Sequence, residues 1–259
     1  MTTVTTETKL GKLRRFNVIM GFFHLVQGIL MLVLSSDFAL PVTTAFQVFD
    51  ADANRLVSDF RTAFDLPTGP LVAGFLLLSA IAHFAIATPG INAWYSRNLL
   101  KGANYARWIE YSLSSSLMIV VVSMLVGISD VVALIAIFAV NAMMILFGWM
   151  MELHNQTTEK TDWTSYWFGI IAGIVPWIGI AIYLIGAGQG DQGPPAFVYW
   201  IFFSIFLFFN VFAINMVLQY KKLGKWRDYL YGEHAYILLS LFAKTLLAWQ
   251  VFGGTLRPV

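Results

Sequence analysis

Ser240-Leu241-Phe242-Ala243-Lys244-Thr245-Leu246-Leu247 decides how the rest of the chain is read. The octapeptide is apolar and helical in pattern, and it lies inside a longer apolar stretch from about Tyr236 to Phe252. If that stretch spans a bilayer, Lys244 sits near mid-membrane depth, where a lysine costs roughly 2.5–3.5 kcal/mol on insertion scales. Snorkelling is the alternative account, but it serves lysines within a turn or so of a helix end. The position points to chemistry: an amine that can lose its proton and condense with a carbonyl as a Schiff base.

Composition supports a membrane setting. Of 259 residues, 58% are hydrophobic and only 12% charged, more apolar surface than a soluble domain can bury. The net charge of +2 gives no support to a nucleic-acid or other polyanion partner. The absence of cysteine excludes disulfides, thiolate metal sites and cysteine catalysis. The histidines, His24, His83, His154 and His234, show no zinc-binding spacing, so no metal site is expected. The apolar run after the polar, threonine-rich start is too long for a signal-peptide core and has no clear cleavage site.

Seven stretches are long enough to span: about 13–35, 69–87, 103–127, 131–153, 165–187, 196–220 and 232–253. In lipid they must be helices, because every backbone polar group needs an internal partner. The expected fold is therefore an all-α membrane protein, a single seven-transmembrane helix bundle over residues 1–259. Twelve of the 16 lysines and arginines fall on the N-terminal side, and Arg55, Arg61 and Arg257 on the other. By the positive-inside rule the N-terminus is cytoplasmic and the C-terminus extracellular. The longest connection, 37–67, then lies outside. Its β-branched and aromatic run Val42–Phe49, the turn-forming Asp50–Asn54 and the partly alternating Arg55–Arg61 read as a β-hairpin, with a structureless loop as the alternative. The remaining connections read as short, two of them punctuated by Pro89-Gly90 and Pro194-Pro195, and Pro176 should kink the fifth span.

Polar groups inside the spans are few. In the third span Arg107, Glu110, Ser114 and Leu117 share a face, and in the seventh Glu233, Ser240 and Lys244 do. Lys244 lies deeper than Glu110, but a helical side chain leans toward its helix N-terminus, so the two can meet. At about 4 Å and an effective dielectric near 20 such a pair gains roughly 4 kcal/mol, enough to offset much of the insertion cost. Ser240 can bond the same ammonium. The alternative for Glu110 is an ion pair with Arg107. His24 lies with Asn17 on one face of the first span, and Ser79 and His83 are one turn apart on the second; together with Glu110 and Lys244 they suggest a network able to take a proton. Glu152 and Glu233, at span ends, read as interfacial carboxylates. Asn141 and Asn210 read as interhelical glue. The aromatic-rich fifth and sixth spans, with Trp177 and Phe209 deep, would give flat apolar walls to a polyene or simply pack a core.

These features resemble the microbial rhodopsins, through Arg107-Trp108-Ile109-Glu110-Tyr111 and the seventh-span lysine. More closely, Glu110-Tyr111-Ser112-Leu113-Ser114-Ser115-Ser116, Ile145–Trp149, Gly173–Gly179, Phe206–Asn210 and Ser240-Leu241 with Ala243-Lys244 are similar to the heliorhodopsins. The resemblance implies all-trans retinal on Lys244 as a protonated Schiff base, with Glu110 as counter-ion and Ser240 and Ser114 nearby. It implies Met144, Trp177, Phe209 and Asn210 as pocket walls, and His24 and His83 in the region of Schiff-base proton transfer. It also implies a cytoplasmic polar cavity with Arg107, Glu152, Tyr229 and Glu233, a homodimer, and a photosensory role with an unknown cytoplasmic signalling partner. The chain departs from proton pumps: Ser240 stands where they carry an aspartate, and Val121 where they often carry a proton donor. The expectation is a light sensor, neither an enzyme nor a pump. Its rivals are a light-driven proton transporter or channel using His24, His83 and Glu233, and a membrane enzyme or solute-binding bundle using Lys244 without retinal.

Overall fold

The computed structural model describes residues 2–190 and 193–256. Arg257, counted in the charge balance, lies outside them. Eight α-helices and one hairpin follow in the order α1 (Thr2–Leu34), β1 (Ala39–Asp50), β2 (Arg55–Pro67), α2 (Thr68–Ala87), α3 (Pro89–Leu100), α4 (Tyr105–Leu125), α5 (Val131–His154), α6 (Thr164–Gly188), α7 (Ala196–Tyr220) and α8 (Tyr229–Val251). All except α3 are long and apolar enough to cross a membrane, which makes this a multi-pass membrane protein. Pro176 lies within the continuous α6.

Two boundaries differ from the sequence reading. The first helix begins at Thr2 and so carries the basic segment Lys9–Arg15 as a helical extension. The connection after α2, read as a short loop, is the helix α3. Pro89 stands at its first turn, where a missing N–H costs nothing and the fixed φ suits a helix, and Arg97 lies in its last turn. Its inward residues Tyr95 and Leu99 are buried, packed in one cluster with Leu13, Met20, Leu230 and Ile237. Side-chain caps start the next helices: Asn104 accepts from the Arg107 N–H, Asp130 from Ala133 and Asp228 from Leu230.

The expected hairpin is present. Strands β1 and β2 pair antiparallel from Asp50 with Arg55 to Ala39 with Pro67, with a bulge at Val42/Thr43. The Asp50 carboxylate accepts from the Asp52 and Ala53 N–H groups, and Asn54 takes the left-handed φ of 48° that asparagine tolerates. Thr43 ties the hairpin to the α4–α5 connection through its N–H to the Ser129 carbonyl at 2.8 Å and a hydroxyl contact with Ser129 at 3.0 Å. Val42 enters the main apolar core, which fills the hairpin end of the bundle with Met118, Val121, Val122, Leu247 and Val251. The buried charges gather toward the other end.

Candidate functional site

The α-helical period brings Glu233, Tyr236, Ser240 and Lys244 to the inner face of α8, all buried. On α4 it brings Arg107, Trp108, Tyr111 and Ser114 inward in the same way. Lys244 is 2% exposed. Its Nζ donates to Glu110 Oε1 at 2.8 Å, Ser79 Oγ at 2.6 Å and Ser240 Oγ at 2.9 Å. An ammonium has three N–H bonds, and all three find an acceptor here. The Ser79 hydroxyl stands 2.6 Å from the same Glu110 oxygen, and the Tyr111 ring lies 5.1 Å from Nζ. Ser114, fully buried, stands beside the carboxylate. The expected meeting of Lys244 and Glu110 therefore occurs, with Ser79 and Ser240 completing it.

Two cavities adjoin this ion pair, one lined by Lys244 and the other by Glu110. The larger, about 840 Å³ of space that is partly open to the outside, runs from Lys244 and Ser240 between α4, α5, α6 and α7. Its walls are almost wholly apolar and include Trp108, Met144, Gly148, Phe209 and Phe212. A Cβ at Gly148 would press on the Trp108 ring, and one at Gly173 on the Met144 side chain, so small residues on α5 and α6 make room for the walls to close in. Met144 and Phe209 line this cavity. Trp177 stands one layer back, its ring edge-on to Phe209 at 5.5 Å. Asn210 is a correction: it is exposed on α7 and donates to the Phe206 carbonyl of its own helix at 2.8 Å. Successive helical residues point about 100° apart, so with Phe209 lining the cavity its neighbour turns away. Nor does Asn210 glue helices together. Asn141 does, donating from α5 to Ser115 and Ser116 of α4 at 2.9 and 3.0 Å.

The smaller cavity has more polar side chains in its lining, among them Asn17, Ser79, His83, Tyr95, Asn104, Arg107, Glu110 and Glu233. His24 and His83 stack at 5.5 Å between ring centres, with planes 14° apart. Asn17 donates its amide to the Leu13 carbonyl at 3.0 Å, so its oxygen faces His83 Nδ1 at 2.8 Å. An amide oxygen only accepts, so Nδ1 carries the hydrogen and His83 Nε2 keeps a free lone pair. His24 is fully buried, and neither ring nitrogen has a protein partner.

Glu152 and Glu233 are not interfacial carboxylates. Their side chains are 1% and 0% exposed, and both bind the Arg107 guanidinium. Glu152 also accepts from Trp108 Nε1 at 2.6 Å, Tyr229 Oη at 2.9 Å and the Asn104 N–H at 2.9 Å. The Arg107 guanidinium lies 4.4 Å from the Trp108 ring and 4.0 Å from that of Tyr236. The burial is possible because each carboxylate has a cation and at least one further donor. Arg107 is thereby taken from Glu110, which leaves that carboxylate to Lys244. Asn104 completes the cluster by donating to Glu233, and Tyr95 lines the adjoining cavity; both were missed in the sequence. Asn104 carried a readable signal, an N-cap residue ahead of a helical run; Tyr95, in a connection read as a short loop, carried none.

The family model for heliorhodopsins matches residues 13–256. The chain belongs to the heliorhodopsin family. As a heliorhodopsin it is a light-responsive, retinal-binding membrane protein. Among solved structures it is similar to a light-driven proton pump from Leptosphaeria maculans, with 14% identity, 93% of this chain and 94% of that chain covered, and a TM-score of 0.66. That likeness shows a microbial rhodopsin-like fold. No curated protein sequence matches the chain.

Proposed function

We propose that the apolar cavity holds all-trans retinal, joined to Lys244 as a protonated Schiff base with Glu110 as counter-ion, and that the protein works as a light sensor without ion pumping. The observation that carries this is the Lys244–Glu110 ion pair, with Lys244 in the wall of a largely apolar cavity. When bound, the group supplies light absorption and a shape change. Condensation leaves the lysine nitrogen one N–H in place of three, and Glu110 is the charged acceptor among the three present. Ser79 and Ser240 keep that carboxylate and nitrogen in register. Trp108, Phe209 and Phe212 exclude water and restrict how the slot's occupant can move.

His83 Nε2 and the His24 ring offer lone pairs for a displaced proton in the adjoining polar region. A route to the hairpin end is poorly supplied. From Leu117 to Gly127 and from Thr245 to Gly253 there is no carboxylate, and Met118, Val121, Val122, Leu247 and Val251 are buried there. A proton can be stored locally and returned, which suits a switch that biases the ends of the helices. The reading includes a cytoplasmic N-terminus, a homodimer and a signalling partner on the cytoplasmic side. The charge bias supports the first, and exposed hairpin aromatics such as Phe60, 75% exposed, favour a covering copy. The test is an absorption spectrum of protein expressed with and without all-trans retinal, for the parent and for Lys244→Ala. A visible band in the parent alone is expected. A retinal-dependent band kept in Lys244→Ala would overturn the assignment.

A further inference from the structure

We infer that the outward face of α3 is a docking surface for anionic phospholipid headgroups of the surrounding bilayer. The chain leaves the membrane at the end of α2 and re-enters it with α4. The 12 residues of α3 between them form a helix of about 18 Å, too short to cross. It therefore lies at the bilayer surface, at the end of the bundle away from the hairpin. Its seat is fixed by side chains that bond the last carbonyls of α2. Ala85 accepts from the Thr88 hydroxyl at 2.7 Å, Ile86 from the Asn92 amide at 2.9 Å and Ala87 from Arg14 Nε at 2.8 Å. Tyr95 and Leu99, one turn apart, are buried against the bundle. Arg97 and Lys101, also one turn apart, lie on the opposite side, and both are exposed.

Around those cations α3 also exposes large apolar side chains: Ile91, Trp94 and Leu100 are 44%, 37% and 58% exposed. Trp94 opens a row of rings, with Tyr105 of α4 at 6.1 Å and Trp149 of α5 a further 5.6 Å on. Tryptophan and tyrosine collect at headgroup depth, because one end of each ring system is apolar and the other seeks water. A surface helix that shows apolar and basic side chains together has the composition of an interfacial helix. The sign of the charge selects the lipid. Residues 66–109 contain no aspartate or glutamate. The ion pairs of the described residues use Lys9, Arg61, Arg107, His154 and Lys244, and Arg97 and Lys101 belong to none of them. Their long stems can follow the apolar surface while the charged heads reach lipid phosphates. A zwitterionic headgroup brings its own cation and leaves these two unneutralised, whereas an anionic one neutralises them. The surface is separate from the Lys244 site and does not depend on what that site holds.

The test uses the full-length, retinal-loaded protein in phosphatidylcholine vesicles with a minor fraction of a lipid brominated near its headgroup, either phosphatidylglycerol or phosphatidylcholine. Bromine quenches tryptophan fluorescence on contact. The expected result is stronger quenching by the brominated phosphatidylglycerol. That excess should be lost in Trp94→Phe, which removes the reporter, and in the double variant Arg97→Gln with Lys101→Gln, which removes the cations. Each cation beside an anionic surface is worth about fivefold in lipid preference, and the parent's excess should shrink as salt is raised. The salt series needs no variant, so the inference stays falsifiable if the double variant folds poorly. Equal quenching by the two lipids in the parent, or an excess that survives in Trp94→Phe, would overturn it. So would an excess unmoved by salt or by the double variant. A Trp94 quenched by neither lipid would mean that the face meets water or an acidic protein, and would overturn the inference equally.

Discussion

Arg107 and Glu110 stand one turn apart on α4 and turn their charges to different partners. Arg107 binds Glu152 and Glu233, and Glu110 binds Lys244 at 2.8 Å. The site therefore holds two separate buried ion groups, one at the lysine and one toward the opposite end from the hairpin. Each can be perturbed without dismantling the other, and the predictions that follow use that separation.

Glu110→Gln removes the carboxylate bonded to Lys244. An opposite charge favours the protonated form of its neighbour, so the visible band of the variant should be lost to base at a lower pH than that of the parent. With less negative charge holding the positive charge at nitrogen, the band should also move to the red. An absorption titration checks both, and a parental spectrum and titration would place the counter-ion elsewhere.

Arg107→Gln should mainly cost stability. It leaves two carboxylates, 1% and 0% exposed, without their cation. Breaking a buried pair from one side costs about 3–5 kcal/mol. The thermal midpoint for loss of the visible band should fall by several degrees, with little change in band position. Arg107→Lys keeps the charge but not the planar fork that reaches both carboxylates, and should fall between the two. An unchanged midpoint in Arg107→Gln would mean that the carboxylates do not need the arginine.

The N-terminus should face the cytoplasm. Lysines and arginines crowd the end of the bundle away from the hairpin, which is the positive-inside pattern. Epitope tags at either terminus, probed by antibody or protease in intact cells, decide it. An N-terminal tag accessible from outside would reverse the orientation.

Illumination should produce no sustained, uncoupler-sensitive pH change and no steady photocurrent in cells or vesicles. Transport needs an acceptor, a donor and alternating access, and the apolar core at the hairpin end supplies none of these. The histidines are where this reading is most exposed. A steady photocurrent that disappears in His24→Ala or His83→Ala would show that they open a path across the protein.

Much of the molecule is determined by local sequence. Span length and apolarity define the seven crossing helices, because lipid admits few other backbones. Alternation around a turn defines the hairpin. Lys244 stands out because a charge in an apolar run is expensive, and its lean toward the helix N-terminus already allowed the meeting with Glu110. What only the tertiary structure decided is which faces meet. Arg107 and Glu233 are 126 residues apart, and Lys244 and Glu110 are 134 apart. A helical period says which residues share a face but not which helix that face will touch. So Arg107 could equally have paired with Glu110, Glu152 and Glu233 could have been solvated at the interface, and Asn210 could have faced the cavity. Packing settled each of these by placing α5 and α8 against α4 and turning Phe209 inward. It also placed α3, whose Tyr95 has no local signature, so that this residue lines the cavity shared by Asn17 and Asn104.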